Sequence, residues 1–210
     1  MQVGWMSSGF YRTCEWIWKL AYVNLLWLGF TLVGLVLFGF LPATVAMLTI
    51  MRKWLQSEDV PIFKTFVITY KNEFLKINAL GVVFAVGAYI LYFNYMYLGT
   101  VTGLTHTVVA LGWYVALFVY SITLLFVIPA YVHLELKLFQ YIKTALIVAL
   151  VNPLSVITLF ISFFLLFNLF HNVPGLIPFF GPSLIGFVIM WCGHMSFNRI
   201  DRKQQKLKET

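Results

Sequence analysis

Four histidines, two cysteines and seven carboxylates are all that this 210-residue chain offers for metal binding or acid–base chemistry. Their spacing serves neither purpose. Cys14 and Cys192 form no CxxC pair, and no HExxH, GxSxG, P-loop or dinucleotide fingerprint is present. The densest group is His133-Leu134-Glu135-Leu136-Lys137. Ionisable groups at membrane depth usually serve a proton or ion path. This group follows Pro129 and precedes another apolar run, so it reads as an ion pair in an interfacial loop. A second group, Tyr89, Tyr92, Asn94, Tyr95 and Tyr97, could stack rings on a sugar and hydrogen-bond its hydroxyls. The same tyrosines also fit an interfacial aromatic belt that needs no ligand. The residues therefore indicate no catalytic, cofactor-binding or metal site; Tyr89, Tyr92 and Tyr95 stand as a candidate outer aromatic patch.

The elements that position these residues follow from composition. Apolar residues make up 61% of the chain and charged residues 10%, against about 45–50% and about 25% in soluble domains. Twenty-one Phe, eleven Tyr and seven Trp exceed what a water-soluble body of this size can hide. A soluble enzyme, a disulfide scaffold and a disordered chain are excluded. Unbroken apolar runs such as 104–132 and 145–170 favour helices over the alternating strands of a barrel. The expected fold is an all-α polytopic membrane protein.

The apolar stretch 16–51 is too long for one straight helix and is interrupted at Gly39–Pro42. Proline suits the first turn of a helix, so one helix is expected to end near Phe38 and a second to run from Pro42 to Gln56. Fifteen residues would reach only about 22 Å, short for a hydrocarbon core of about 30 Å. Acidic residues ahead of Pro61 announce another helix. Over Pro61–Asn78 the residues Phe63, Phe66, Tyr70, Phe74 and Ile77 share one face, while Lys64 and Lys71 lie elsewhere. This predicts an amphipathic helix at the membrane surface, serving as a connector or as a docking element. Further spans are expected at 79–98, 108–132 and 179–197. A long stretch, 141–170, is either kinked or restarted at Asn152-Pro153, with Asn152 as cap. Asn24, Asn78, Asn94 and Asn168 read as hydrogen-bond glue between helices. About six membrane segments result, or five if Pro42–Gln56 does not cross. Residues 1–198 form one transmembrane domain that includes the helix 61–78, and 199–210 form a basic cytoplasmic tail.

If 16–56 is a two-helix hairpin, all fourteen Lys and Arg fall on one side; if it crosses once, Arg12 and Lys19 fall on the other. Basic residues concentrate on the cytoplasmic side, which favours the hairpin with both termini inside. The net charge of +7 is then attraction to anionic lipid rather than to nucleic acid.

Tyr22-Val-Asn-Leu-Leu-Trp27, Gly34 to Gly39, Pro42-Ala-Thr44, Arg52-Lys-Trp54 and Asp59 to Phe66 resemble the YesL family of bacterial membrane proteins, a domain of unknown function. The distinctive match covers roughly residues 10–82. Members of that family are often encoded beside carbohydrate ABC importers and polysaccharide-degrading enzymes, chiefly in Gram-positive bacteria. The resemblance implies a non-catalytic accessory role in sugar import at the plasma membrane, with ABC permease subunits as partners beside the lipid bilayer. A small transporter or channel acting alone is the alternative, and a membrane enzyme ranks behind both. Trp27, Lys64, Phe66 and Lys71 are the expected partner or lipid contacts, because the family-like residues gather there.

Overall fold

In the computed structural model the described residues are 6–208, with side chains at 9, 11–197 and 199. They form α1 (Met6–Val33), α2 (Leu37–Leu55), α3 (Ile62–Leu98), α4 (Gly103–His133), α5 (Leu138–Val151), α6 (Pro153–Asn172) and α7 (Ile177–Lys208). A single 3₁₀ turn, Pro174–Leu176, leads into α7. No strand occurs among the described residues. Five helices are long and apolar enough to cross a membrane: α1 over Tyr11–Val33, α3, α4, α6, and α7 with its leading turn over Pro174–Phe197. The chain is an all-α, multi-pass membrane protein.

Helix α2 is the centre of the bundle. It packs against α1, α3, α4 and α7, and Ala43, Ala46, Ile50 and Met51 are completely covered. One apolar cluster joins α2 to α1, α3 and α7 through Val23, Met47, Phe66, Tyr70 and Met190. Another joins α3, α4, α5 and α7 through Ile77, Phe126, Ala145 and Phe197. Outward faces are apolar too, as at Leu111, Phe118 and Phe164, because their solvent is lipid.

The first hairpin turns earlier than expected. α1 ends at Val33, and Pro42 lies inside α2 rather than at its start. The Val36 N–H donates to the Thr31 carbonyl at 2.8 Å and the Leu35 N–H to the Leu32 carbonyl at 3.0 Å. This is the Schellman arrangement that ends helices. Glycine usually takes its left-handed position, yet here Leu35 sits at φ 57 and Val36 at φ 61. Gly34 is needed one residue earlier, where α1 and α2 touch. A Cβ on Gly34 would overlap the Gly39 backbone, with Gly39 N at 2.6 Å. Starting at Leu37 gives α2 19 residues, about 28 Å, close to the thickness of a hydrocarbon core.

Pro42 inside α2 has no N–H for the carbonyl four residues back, that of Phe38. The Asn78 side-chain amide donates to it instead, at 3.0 Å. Asn24 does the same for Pro182 in α7: its amide donates to the Pro178 carbonyl at 2.8 Å, and its carbonyl accepts the Ser183 N–H at 3.2 Å. These two asparagines join helices as expected. Among the described residues Asn94 and Asn168 bond within their own helices, to the Ile90 and Phe164 carbonyls.

Residues 61–78 do not form a separate surface helix. They continue without a break into the span, so α3 is one helix of 37 residues, about 55 Å long. No proline interrupts the junction, Gly81 beyond it stays helical against Leu41, and Ile77 and Leu80 enter one apolar cluster together. The 141–170 stretch does break at Asn152, which departs from helical geometry at φ −121 and ψ 65. Asn152 caps nothing forward; its amide turns back to the Val148 carbonyl at 3.2 Å. The connections at 99–102 and 173–176 are shorter than expected, so His106 lies in α4 and His171 in the last turn of α6. The basic segment from Arg199 is a continuation of α7 as far as Lys208 rather than a separate tail. Residues 1–5 and 209–210 lie outside the described residues.

Candidate functional site

A polar concavity is built by two helical stripes facing a short linker. α2 contributes Val45, Thr49 and Arg52, spaced so that all three share one face. α3 contributes Thr69, Asn72, Glu73 and Lys76, again on one face. The end of α4, the linker 134–137 and Tyr141 on α5 close the other side around a cavity of about 810 Å³.

Hydrogen bonds fix the walls. An Arg52 Nη donates to the Val132 carbonyl at 2.7 Å and ties α2 to α4. The Tyr131 hydroxyl donates to Glu73 Oε2 at 2.5 Å and ties α4 to α3. The Tyr141 hydroxyl donates to the Leu134 carbonyl at 3.0 Å and accepts the Leu136 N–H at 2.9 Å. One tyrosine thereby holds both ends of the linker. His133 Nδ1 lies 3.2 Å from the Pro129 carbonyl, and its ring stacks on Phe197 with centroids 4.7 Å apart. His133 Nε2 reaches His194 Nδ1 at 3.3 Å.

The linker does not carry the expected ion pair. Among the described residues the ion pairs are those of Lys19 with Glu15 at 2.6 Å and Asp59 at 3.9 Å. Glu135 and Lys137 are both exposed and form no salt bridge, while the Tyr141 bonds fix the linker backbone. Arg52, Lys76, Lys137, Glu73 and Glu135 thus surround one cavity with no salt bridge among them.

The sequence-predicted contacts divide. Lys64 and Lys71 are exposed on the face of α3 away from the core. Phe66 is completely buried, with its ring 5.1 Å from Phe30, so it offers no surface to a partner. Trp27 is half-buried: its indole N–H donates to Thr44 Oγ1 at 3.0 Å and clasps α1 to α2. Tyr92 and Tyr95 line an apolar recess of about 300 Å³ with Trp113 and Tyr120 of α4. Tyr89, 67% exposed, points elsewhere. Trp113 escaped sequence reading because nothing in α4 singles it out; its indole N–H donates to the Leu91 carbonyl at 2.9 Å. The α3 stripe did leave a signal: Thr69, Asn72, Glu73 and Lys76 recur at helical spacing, on a different side of the wheel from Lys64 and Lys71.

Comparison with known proteins places this chain in a family. Residues 20–95 match the family described as "Protein of unknown function, DUF624". The uncharacterized protein YesV of Bacillus subtilis (strain 168) is 40% identical over 202 residues, covering 96% of this chain and 97% of the relative. The chain belongs to the YesL-like DUF624 family. YteU of the same organism is 39% identical over 180 residues, covering 85% of this chain and 81% of the relative. YesL itself is 28% identical over 209 residues, covering 97% and 96%. No solved structure matches the chain. The DUF624 match takes in the glycine-lined hairpin and the Arg52, Glu73 and Lys76 side of the cavity, while the linker side lies beyond it.

Proposed function

We propose that this DUF624 protein is a non-catalytic accessory subunit of the bacterial plasma membrane that docks on the permease subunits of a carbohydrate ABC importer. The observation that supports it is the outward face of α3. Lys64, Ile68, Lys71 and Leu75 recur at alternating four- and three-residue steps and are all exposed, Leu75 by 79%. That spacing is the seam by which one helix packs along another. At about 55 Å, α3 is longer than a perpendicular crossing of about 30 Å requires, and its surplus half carries these lysines. Two cations flanked by large apolar side chains suit an apolar helix with acidic residues on the partner. Replacing both Lys64 and Lys71 by Glu should abolish co-purification of permease subunits in mild detergent while leaving the fold intact. Undiminished recovery of the same subunits by the double variant would sink the reading, since lipid contacts need no protein to be lost.

A second reading, a small transporter acting alone, is favoured by the polar cavity. It requires solute uptake by liposomes that contain only this chain.

In either case both termini are cytoplasmic. The hairpin supports this: Trp16 meets Trp54 edge-on at 5.8 Å, which gathers Arg12, Lys19, Arg52 and Lys53 at one end of α1 and α2. In a Cys14→Ser background, an impermeant maleimide applied to intact cells is expected to label cysteines placed at Thr102 or Asn172 and to spare one at Ser57. Labelling at Ser57 would reverse the orientation.

A further inference from the structure

The 810 Å³ cavity concentrates charge in a chain that has little of it: 14 basic and 7 acidic residues in 210. Five of them line this one space, three cations against two carboxylates, and no two form a salt bridge. A partly buried guanidinium usually rests against a carboxylate. Arg52 does not, although Glu73 lines the same cavity. Glu73 is engaged by the Tyr131 hydroxyl, and Glu135 lies exposed on the linker. Of the five N–H donors on Arg52, the hydrogen bonds among the described residues use one, to the Val132 carbonyl. That single bond anchors the side chain; Nε is buried without a partner, and the remaining Nη N–H groups are left for a ligand. Lys76 and Lys137 approach from α3 and from the linker, on two further sides.

We propose that this cavity binds a phosphate-bearing group, with the Arg52 fork as its anchor and Lys76 and Lys137 as flanking charges. A planar fork matches two phosphate oxygens at once, and flexible ammonium groups supply charge without fixed geometry. Thr49, one turn before Arg52, and Thr69 on the facing helix add hydroxyls at the wall. A cationic ligand would face three cations, and a neutral one would leave the guanidinium uncompensated. The phosphate comes either from an anionic lipid headgroup, the cavity lying among residues that mark the inner membrane edge, or from a soluble phosphate compound. The proposal stands whether or not α3 docks on a permease.

The test uses the full chain purified in mild detergent and in nanodiscs. Inorganic phosphate should raise the unfolding midpoint above that in chloride of equal ionic strength. In native mass spectrometry the chain should retain phosphatidylglycerol in preference to a phosphate-free galactolipid. Lipid retention identifies the headgroup as the source; stabilisation by phosphate without lipid retention identifies a soluble compound. Either result requires that Lys76→Gln with Lys137→Gln, two exposed changes, weaken binding by about tenfold. Arg52→Lys, which keeps the charge and loses the fork, should weaken it further. Absence of both effects, or a double variant that binds as well as the unaltered protein, overturns the site.

Discussion

Gly39→Ala should destabilise the protein by about 3 kcal/mol, at the upper end of overpacking costs, and Gly39→Leu should prevent recovery of folded material. A Cβ at this position would lie 2.5 Å from the Thr31 carbonyl oxygen and 2.8 Å from both Gly34 Cα and the Phe30 carbonyl oxygen. All three are backbone atoms, so no rotamer change relieves the contact; α1 and α2 must separate. At 2–4 °C per kcal/mol, the alanine variant should lose on the order of 10 °C in unfolding midpoint. Gly112→Ala supplies the opposite sign. Nothing lies within 4 Å of its Cβ position in α4, so helix propensity should make that change stabilising by up to about 1 kcal/mol. Equal midpoints for the two alanine variants would show that the glycine contact does not hold the hairpin.

The same contact explains where sequence reading succeeded and where it slipped. Composition and run length were enough for an all-α membrane bundle, because lipid imposes apolar outward faces on every helix. The hairpin itself was legible; its turn was not. Pro42 and Gly39 are the usual signs of a boundary, but here Gly39 serves close approach and the carbonyl freed by Pro42 is served by Asn78 on a third helix. A proline whose lost bond is replaced from elsewhere in the fold looks, in sequence, like one that ends a helix. The cavity was half legible. His133–Lys137 was visible as a charge cluster, and Thr69–Lys76 was open to a second turn of the helical wheel. Their convergence with Arg52 depends on α2, α3 and α4 crossing at one level, which no single segment encodes. Phe66 illustrates the converse: it lies in the family-like stretch, yet it is completely buried and packs against Phe30.

The largest single-residue effect on polar packing is expected at Asn24. Interhelical hydrogen bonds in membranes average about 0.6 kcal/mol and reach about 1.7, because an unfolded helix in lipid finds other partners. Asn24 should exceed that range. It is completely buried, and it serves backbone atoms on either side of Pro182, whose missing N–H deprives the Pro178 carbonyl of its usual helical partner. Asn24→Leu leaves the Pro178 carbonyl and the Ser183 N–H without partners; at about 1–3 kcal/mol for each stranded group, the cost should reach about 3 kcal/mol. The proline is the cause, so removing it should lower that cost. In a Pro182→Ala background the new N–H can bond the Pro178 carbonyl within α7, and Ser183 can return to the Phe179 carbonyl. There Asn24→Leu is expected to cost at least 1 kcal/mol less than in the unaltered chain, a coupling that a double-mutant cycle measures directly. An equal loss of stability in both backgrounds would mean that Asn24 acts by filling space between α1 and α7, and that Pro182 is accommodated within α7 by something other than this side chain.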